Sequence, residues 1–339
     1  MNERYSRQIL FREIGREGQE RLHASRVLVV GCGALGAAHT EMLSRAGVGK
    51  LRIVDRDFVE FTNLQRQTLF SESDAADRLP KAIAAKKRIS KINSEIDVEA
   101  IVADVNNSNV ESLIAGCDII LDGTDNFQVR YLVNDACVKH AKPWIYGAAV
   151  SSYGTTMTIR PGETPCLRCI FEEMPDAGSA PTCDTAGVIM PIIASISAIQ
   201  VAEAIKLLVG DTASLHRSLV QIDVWANDWR KIKLAGPSED CICCIGRKFE
   251  FLDAEAQEFA AVLCGRDAVQ IAPPRPTELE LSSLAANLSA VSEVKQNKFL
   301  VRFAADGHEI TVFQDGRAII KGTDDISVAR ILYARFVGV

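Results

Sequence analysis

The hexapeptide Gly31-Cys32-Gly33-Ala34-Leu35-Gly36 has the spacing GxGxxG. It directly follows the apolar run from Arg26 and opens a stretch with helical spacing from Ala34 to Arg45. Glycines in such a turn let backbone amides approach a phosphate, and the start of the helix adds partial positive charge. Asp55 closes the next apolar run, LRIVD, 19 residues beyond Gly36. A carboxylate there can accept hydrogen bonds from ribose hydroxyls. These features specify an adenine nucleotide and no more, and on them alone an NAD-dependent dehydrogenase is the default reading.

The charged residues that follow favour a triphosphate over hydride chemistry. Thr62–Gln67 reads TNLQRQ with Arg66 near its centre, Lys81 follows Pro80 at a helix start, and Asp122 closes a strand in LDGTDN with Asp125, Asn126 and Arg130 nearby. Lysine and arginine neutralise phosphate oxygens, and a carboxylate at a strand end can hold magnesium. Taken singly, Lys81 reads as a solvated helix residue and Arg66 as a surface charge. Asp122 stands better alone, because the carboxyl ends of parallel strands face the ligand crevice.

A second kind of chemistry lies in the cysteines. Cys166 and Cys169 form one CxxC, and Cys241, Cys243 and Cys244 crowd into DCICC. Two CxxC pairs can hold zinc tetrahedrally, and four thiolates leave no open coordination position, so the expected role is structural. The repeated two-residue spacer selects Cys241 and Cys244, leaving Cys243 as the spare. The 71 residues between Cys169 and Cys241 make the expected site a staple between distant segments. Cys32, Cys117 and Cys137 read as small core residues. Cys183, in SAPTCDTAGV, reads equally as a nucleophile near a helix start and as an ordinary residue, with Asp184 opposing its ionisation. No histidine has metal or triad spacing.

Those residues need a scaffold, and 339 residues with 47% hydrophobic and 24% charged content suffice for about two domains. A net charge of −6 argues against general nucleic-acid binding, which needs a basic footprint. The charged N-terminus predicts no signal peptide. Pro191, Glu203 and Lys206 interrupt the most apolar stretch, Gly187 to Val209, so no membrane span and a cytoplasmic location are expected. Strands at 26–31, 51–55, 98–102, 118–122 and 144–148 alternate with helices at 34–45 and 80–93, which predicts a parallel sheet covered on both faces. The run GTTMTIRPG after Tyr153 predicts an antiparallel extension, followed by a helix from about Met190 to Val209. Strands are then expected at 219–223 and, alternating in exposure, at 229–234. The fold class is therefore α/β: a Rossmann-like mostly parallel sheet with an antiparallel extension, plus a small C-terminal α+β domain. Residues 1–246 and 247–339 are the expected divisions. In the second, strands are expected at 299–303, 309–313 and 318–321, joined at Asp306-Gly307 and Asp315-Gly316, with helices capped by Thr277 and Thr323.

Taken together, RYSRQIL, GCGALG, IVDRDFVEFTNLQRQTLF, LPK, LDGTDN, PCLRC, TCDTAGV and CICC resemble the ThiF/MoeB/HesA family in unbroken order over residues 1 to 246. The resemblance implies an ATP- and Mg²⁺-dependent adenylyltransferase acting on a small ubiquitin-like sulfur carrier of the ThiS or MoaD type. It implies that Gly31, Gly33, Ala34 and Gly36 line the phosphate turn and that Asp55 takes the ribose. Asn63, Gln65, Arg66 and Lys81 would contact the triphosphate, Asn126 would lie among the nucleotide contacts, and Asp122 would be the magnesium and adenylation carboxylate. Arg7, in RYSRQ, matches an arginine that reaches a partner subunit's ATP, which implies a homodimer. Cys183 matches a position that can link covalently to the carrier; we expect it to be dispensable for adenylation and to matter, if at all, in sulfur transfer, for which a sulfur donor protein is a further expected partner. LCGRDAV around Cys264 matches a rhodanese loop only faintly, so the C-terminal region is expected to bind a partner or support a dimer. The rival readings are a nicotinamide or flavin oxidoreductase, a non-catalytic scaffold, and an activating enzyme for another peptide carboxylate. The resemblance leaves the thiamine and molybdopterin branches open.

Overall fold

A computed structural model describes residues 3–175, 182–254, 259–263, 267–273, 277–289 and 292–338, with the backbone alone described at 183–184 and 259–263. The chain divides into two compact units, Met1–Ala254 and Glu255–Val339. The first begins with α1 (Ser6–Ile9), α2 (Gly15–Ala24), β1 (Arg26–Val30), α3 (Ala34–Ala46) and β2 (Lys50–Asp55). It continues through α4 (Glu72–Ala76), α5 (Lys81–Ile92), β3 (Asp97–Val102), α6 (Val110–Ile114), β4 (Ile119–Asp122) and α7 (Phe127–Lys139). Next come β5 (Trp144–Val150), β6 (Tyr153–Ile159), α8 (Leu167–Ile170) and α9 (Cys183–Ala186). α10 (Met190–Val209), β7 (Ser218–Asp223) and β8 (Asp228–Lys233) close the unit.

Its eight strands lie in the order β3-β2-β1-β4-β5-β6-β7-β8. The pairs from β3 to β5 are parallel and those from β5 to β8 antiparallel. The chain leaves β1 toward β2 on one side and later returns to β4 on the other. That reversal opens a crevice at the carboxyl ends of β1 and β4, where ligands bind in open α/β sheets. The apolar run of β1 follows from burial on both faces. Val27 and Val29 face one core with Leu43 and Ile89, while Leu28 and Val30 face the other with Leu132 and Ala136.

α10 is long and apolar enough by composition to cross a membrane. In this unit it packs against α3, β5 and β6. Its buried Glu203 accepts hydrogen bonds from Lys206 Nζ at 2.7 Å, Thr158 Oγ1 at 3.0 Å and the His216 amide at 3.2 Å. Pro191 in the first turn and Gly210, left-handed at φ 88°, set its ends.

Three local expectations need correction. Pro80 is the N-cap of α5 instead of its first residue, because Phe58 and Pro80 form a β-bridge and the Lys81 amide donates to Asp57 O at 2.9 Å. β8 does not alternate in exposure: as the sheet's edge it is exposed along most of its length, including Trp229 and Ile232. The first unit extends past 246, since Phe249 and Leu252 share a core with Cys241 and Cys243.

The second unit contains β9 (Phe259–Leu263), β10 (Ala268–Ala272), α11 (Leu281–Leu288) and β11 (Val294–Gln296). These are followed by β12 (Leu300–Ala305), β13 (His308–Phe313), β14 (Ala318–Lys321) and α12 (Ile326–Phe336). Its sheet runs β11-β12-β13-β14-β10-β9. α11 and α12 bury Leu281, Ala285, Leu288, Ala329 and Leu332 against Val269, Ile271, Val312 and Ile320. Asp306 and Gly307, with φ of 49° and 81°, make the tight turn expected between β12 and β13. The caps differ from expectation. Glu280 precedes α11 without a side-chain cap, and Asp325, not Thr323, accepts from the Ser327 and Val328 amides at the start of α12. Thr323 Oγ1 instead accepts from the Asp325 amide at 3.0 Å and so supports the cap from outside the helix.

Candidate nucleotide and metal sites

The turn after β1 begins at Gly31, whose φ of 80° is left-handed. A side chain there would meet Gly123 O at 2.8 Å, and one on Gly36 would overlap Gly31 O. Only glycine lets the start of α3 lie this close to the β1 and β4 ends. Gly33 is the N-cap of α3, and Ala34 is its first residue. Asp55, at the end of β2, accepts from the Cys32 amide at 2.5 Å and from the Asp57 amide at 2.7 Å. The ribose carboxylate expected from sequence therefore also ties the Gly-rich turn to the loop after β2. Burial pushes its pKa up, with Lys81 nearby pulling the other way.

Lys81 is buried and places Nζ 3.2 Å from Asp57 Oδ2. The backbone bond that starts α5 and this ion pair both hold Lys81 to the loop after β2. Asn63 is buried too, with its side-chain carbonyl accepting from the Glu60 amide at 3.0 Å in a reciprocal cap. Arg66 is half-buried and donates to Thr62 O at 2.9 Å, and Gln65 is exposed with Nε2 3.4 Å from Val188 O.

Asp122 ends β4 and is buried. Its Oδ1 accepts from the Thr124 amide at 2.9 Å and Thr124 Oγ1 at 2.7 Å. Its Oδ2 accepts from Arg130 Nε at 3.1 Å and, more weakly, from the Gly147 amide at 3.4 Å. Burial raises the Asp122 pKa, and the Arg130 guanidinium opposes that rise. Asn126 is the N-cap of α7, accepting from the Val129 amide at 3.2 Å. Arg7 is exposed on α1. Cys183 opens α9, which Thr182 and Thr185 cap, but the Cys183 side chain lies outside the described residues, as does Cys264.

Several contributors had no signal in the motifs. Asp57 is the partner of Lys81. Gln200 of α10 donates to Asp122 O at 3.1 Å and Ile145 O at 3.2 Å, and it is braced by His39 Nε2 at 2.8 Å. This buried strap holds the ends of β4 and β5 together. The polar partners of a core helix are invisible until its packing is known. A separate cavity of about 560 Å³, lined by Ser25, Asp118, Pro143 and Arg160 among others, opens at the amino-terminal ends of the strands, opposite the Gly31 turn. Its volume does not mark the chemistry.

The second expected site assembles as a quartet. Cys166, Cys169, Cys241 and Cys244 bring their sulfurs within 4.8 Å of one another. The separations are 3.6 Å for Cys166–Cys241, 3.8 Å for Cys166–Cys169 and 3.4 Å for Cys169–Cys244. A tetrahedron with 2.3 Å zinc–sulfur bonds has edges of about 3.8 Å, so the four fit a zinc ion. Burial and crowding push the Cys244 thiol up to about 12. Binding of a cation would therefore release protons. Cys243 is outside the quartet but is not idle: it is fully buried, with its sulfur 3.3 Å from both Asn134 Nδ2 and Asp135 Oδ1.

A glycine turn at the β1 end, a buried cation on α5 and a carboxylate at the β4 end define a nucleotide-binding α/β protein of the doubly wound class, here stapled by four cysteines. Residues 5–243 match the ThiF family model. The chain belongs to the ThiF family. It is 45% identical to the sulfur carrier protein ThiS adenylyltransferase of Bacillus subtilis, with 100% of both chains covered. It is 42% identical to the molybdopterin-synthase adenylyltransferase of Salmonella typhimurium, over 68% of this chain and 92% of that protein. Among solved structures, Escherichia coli MccB with ATP matches with a TM-score of 0.62 and 26% identity, covering 72% of this chain and 75% of that one.

Proposed function

We propose that this chain uses ATP to adenylate the C-terminal carboxylate of a small ubiquitin-like sulfur carrier, releasing pyrophosphate and preparing that carboxyl for conversion to a thiocarboxylate. The observation that carries this reading is Asp122 at the β4 end beside the Gly31 turn. A dehydrogenase needs no buried, fully hydrogen-bonded carboxylate there. In this reading the turn of Gly31, Gly33, Ala34 and Gly36 receives phosphate, Asp55 the ribose, and Asn63, Gln65, Arg66 and Lys81 the triphosphate. Asn126 fixes the start of α7 next to it. Asp122 would hold magnesium, which would screen the negative phosphate oxygens from the attacking carboxylate.

The ThiS-type carrier is the preferred substrate. Full-length likeness to the Bacillus subtilis enzyme includes the second unit, whereas the molybdopterin-type relative covers 68% of the chain. Met1–Ala254 would be the adenylation unit, and Glu255–Val339 a binding or dimer-supporting module. Arg7, exposed on α1, is proposed to complete the site of a second copy in a homodimer. A cytoplasmic enzyme that passes its activated carrier to a sulfur donor fits this scheme, with Cys183 acting after adenylation. The test is ATP–pyrophosphate exchange with Mg²⁺ and separately purified ThiS- and MoaD-type carriers. Exchange with the ThiS type alone is expected; exchange with neither, while ATP still binds, would overturn the carrier assignment.

A further inference from the structure

Two short cysteine knuckles must meet from distant parts of the chain, and a single helix turn touches both. Asn134 and Asp135 sit side by side on α7 and are fully buried. The Leu167 amide, inside the first knuckle between Cys166 and Cys169, donates to Asn134 Oδ1 at 2.8 Å. On its other side Asn134 donates from Nδ2 to Cys243 Sγ at 3.3 Å, inside the second knuckle between Cys241 and Cys244. The Cys243 thiol donates to Asp135 Oδ1 at 3.3 Å, and the Phe251 amide donates to Asp135 Oδ2 at 3.0 Å. One asparagine thus reaches both knuckles, and the adjacent aspartate secures the second knuckle and the chain beyond it.

We propose that Asn134, Asp135 and Cys243 form a latch that holds the two knuckles in register for the metal, with Cys243 as a positioning residue and not a ligand. Cys243 lies outside the quartet of sulfurs, and its own sulfur bonds Asn134 Nδ2 and Asp135 Oδ1 at 3.3 Å each. Cys243 therefore has a different task from its neighbours Cys241 and Cys244. Buried partners of this kind set how tightly ligands are held, and their loss typically costs about 10- to 100-fold in metal affinity. The proposal rests on the metal reading of the quartet and not on adenylation.

The test is zinc content of the purified full-length chain, followed by the rate at which EDTA strips the metal, for wild type, Cys243→Val, Cys243→Ser and Asn134→Ala. Valine approximates the cysteine in volume but makes neither hydrogen bond; serine can make both. One zinc per chain is expected in wild type and all three variants, with stripping about 10- to 100-fold faster in Cys243→Val and Asn134→Ala. Cys243→Ser is expected to fall between them and wild type. Wild-type stripping rates in Cys243→Val or Asn134→Ala would overturn the latch. So would a Cys243→Ser chain without zinc beside a Cys244→Ser chain that retains it, because Cys243 would then be the ligand. Asn134→Ala probes the latch from the helix side, so the result survives if a Cys243 variant fails to fold. A wild-type chain without metal would overturn the metal reading itself.

Discussion

Arg130 Nε donates to Asp122 Oδ2 across 3.1 Å, and both side chains are buried. The same guanidinium donates to Thr124 O at 2.6 Å and Gly147 O at 3.2 Å. Arg130 thus binds the β4 end, the loop beyond it and β5 into one unit around the Asp122 carboxylate.

Replacing Arg130 by Met should expose what it does. A buried carboxylate left without its partner costs about 3–5 kcal/mol, which a urea melt would read. Burial already raises the Asp122 pKa against the pull of Arg130, so removing the arginine raises it further. Asp122 would then ionise only at higher pH. The acid side of the pyrophosphate-exchange profile is expected to move upward in pH, and an unmoved profile would mean that Asp122 ionisation does not limit the reaction.

Lys81 is expected to act on phosphate and not merely to pair with Asp57. Lys81→Met keeps most of the buried stem and removes the charge. Loss of one donor to developing charge typically costs 10²- to 10³-fold, so exchange should fall by about that much while the circular dichroism spectrum stays native. Asp57→Asn, which leaves the lysine in place, should cost clearly less. Equal losses would reduce Lys81 to half of a structural pair.

Stability should weaken in mild acid because of His39. Burial pushes its imidazole down to about 4 from the ordinary 6.5, despite a hydrogen bond to Gln200 that raises it. The unfolded chain therefore binds a proton at a pH where the folded one does not. Folding stability is retained above about 6.5 and lost as pH falls toward 4, by about 3 kcal/mol in total and about 2 kcal/mol at pH 5. Denaturant melts of wild type and His39→Gln at pH 7 and pH 5 isolate this contribution. The wild-type loss between those values should exceed that of the variant.

The four cysteines should behave as one unit. Cys166→Ser and Cys241→Ser should each abolish zinc retention and lower the melting temperature, and the double variant should melt no lower than the worse single one. Groups in one network are not additive. Additive losses would mean that the sulfurs stabilise the fold independently of a shared ion.

What could be read in advance depended on how local the signal was. The glycine turn and the carboxylates after β2 and β4 are legible because an open parallel sheet always delivers ligand contacts at strand ends. The limits of α10 are legible from Pro191 and Gly210, whose backbones permit little else. The cysteine quartet is legible because spacing alone restricts how thiolates share an ion. By contrast, Asn134 and Cys243 are 109 positions apart, and nothing in NDAC or DCICC announces their meeting. Nothing in the local sequence VDRDF sets Asp57 apart; its role follows only from α5 bringing Lys81 back to it. Thr323 looked like the cap of α12 because threonine often is one, yet Asp325 stands at the geometry that reaches two amides. β9 and β10 escaped notice because FAAVL and AVQIA carry too little alternation to separate a strand from a helix.

The staple also has an effect away from the folded protein. Cys166 and Cys241 lie 75 positions apart, as do Cys169 and Cys244. An ion that stays on these sulfurs while the rest of the chain melts closes that long loop in the denatured ensemble. By the loop-closure arithmetic used for disulfides, this removes about 4 to 5 kcal/mol of chain freedom. That part of its stabilisation acts on a state in which neither the sheet nor the latch exists.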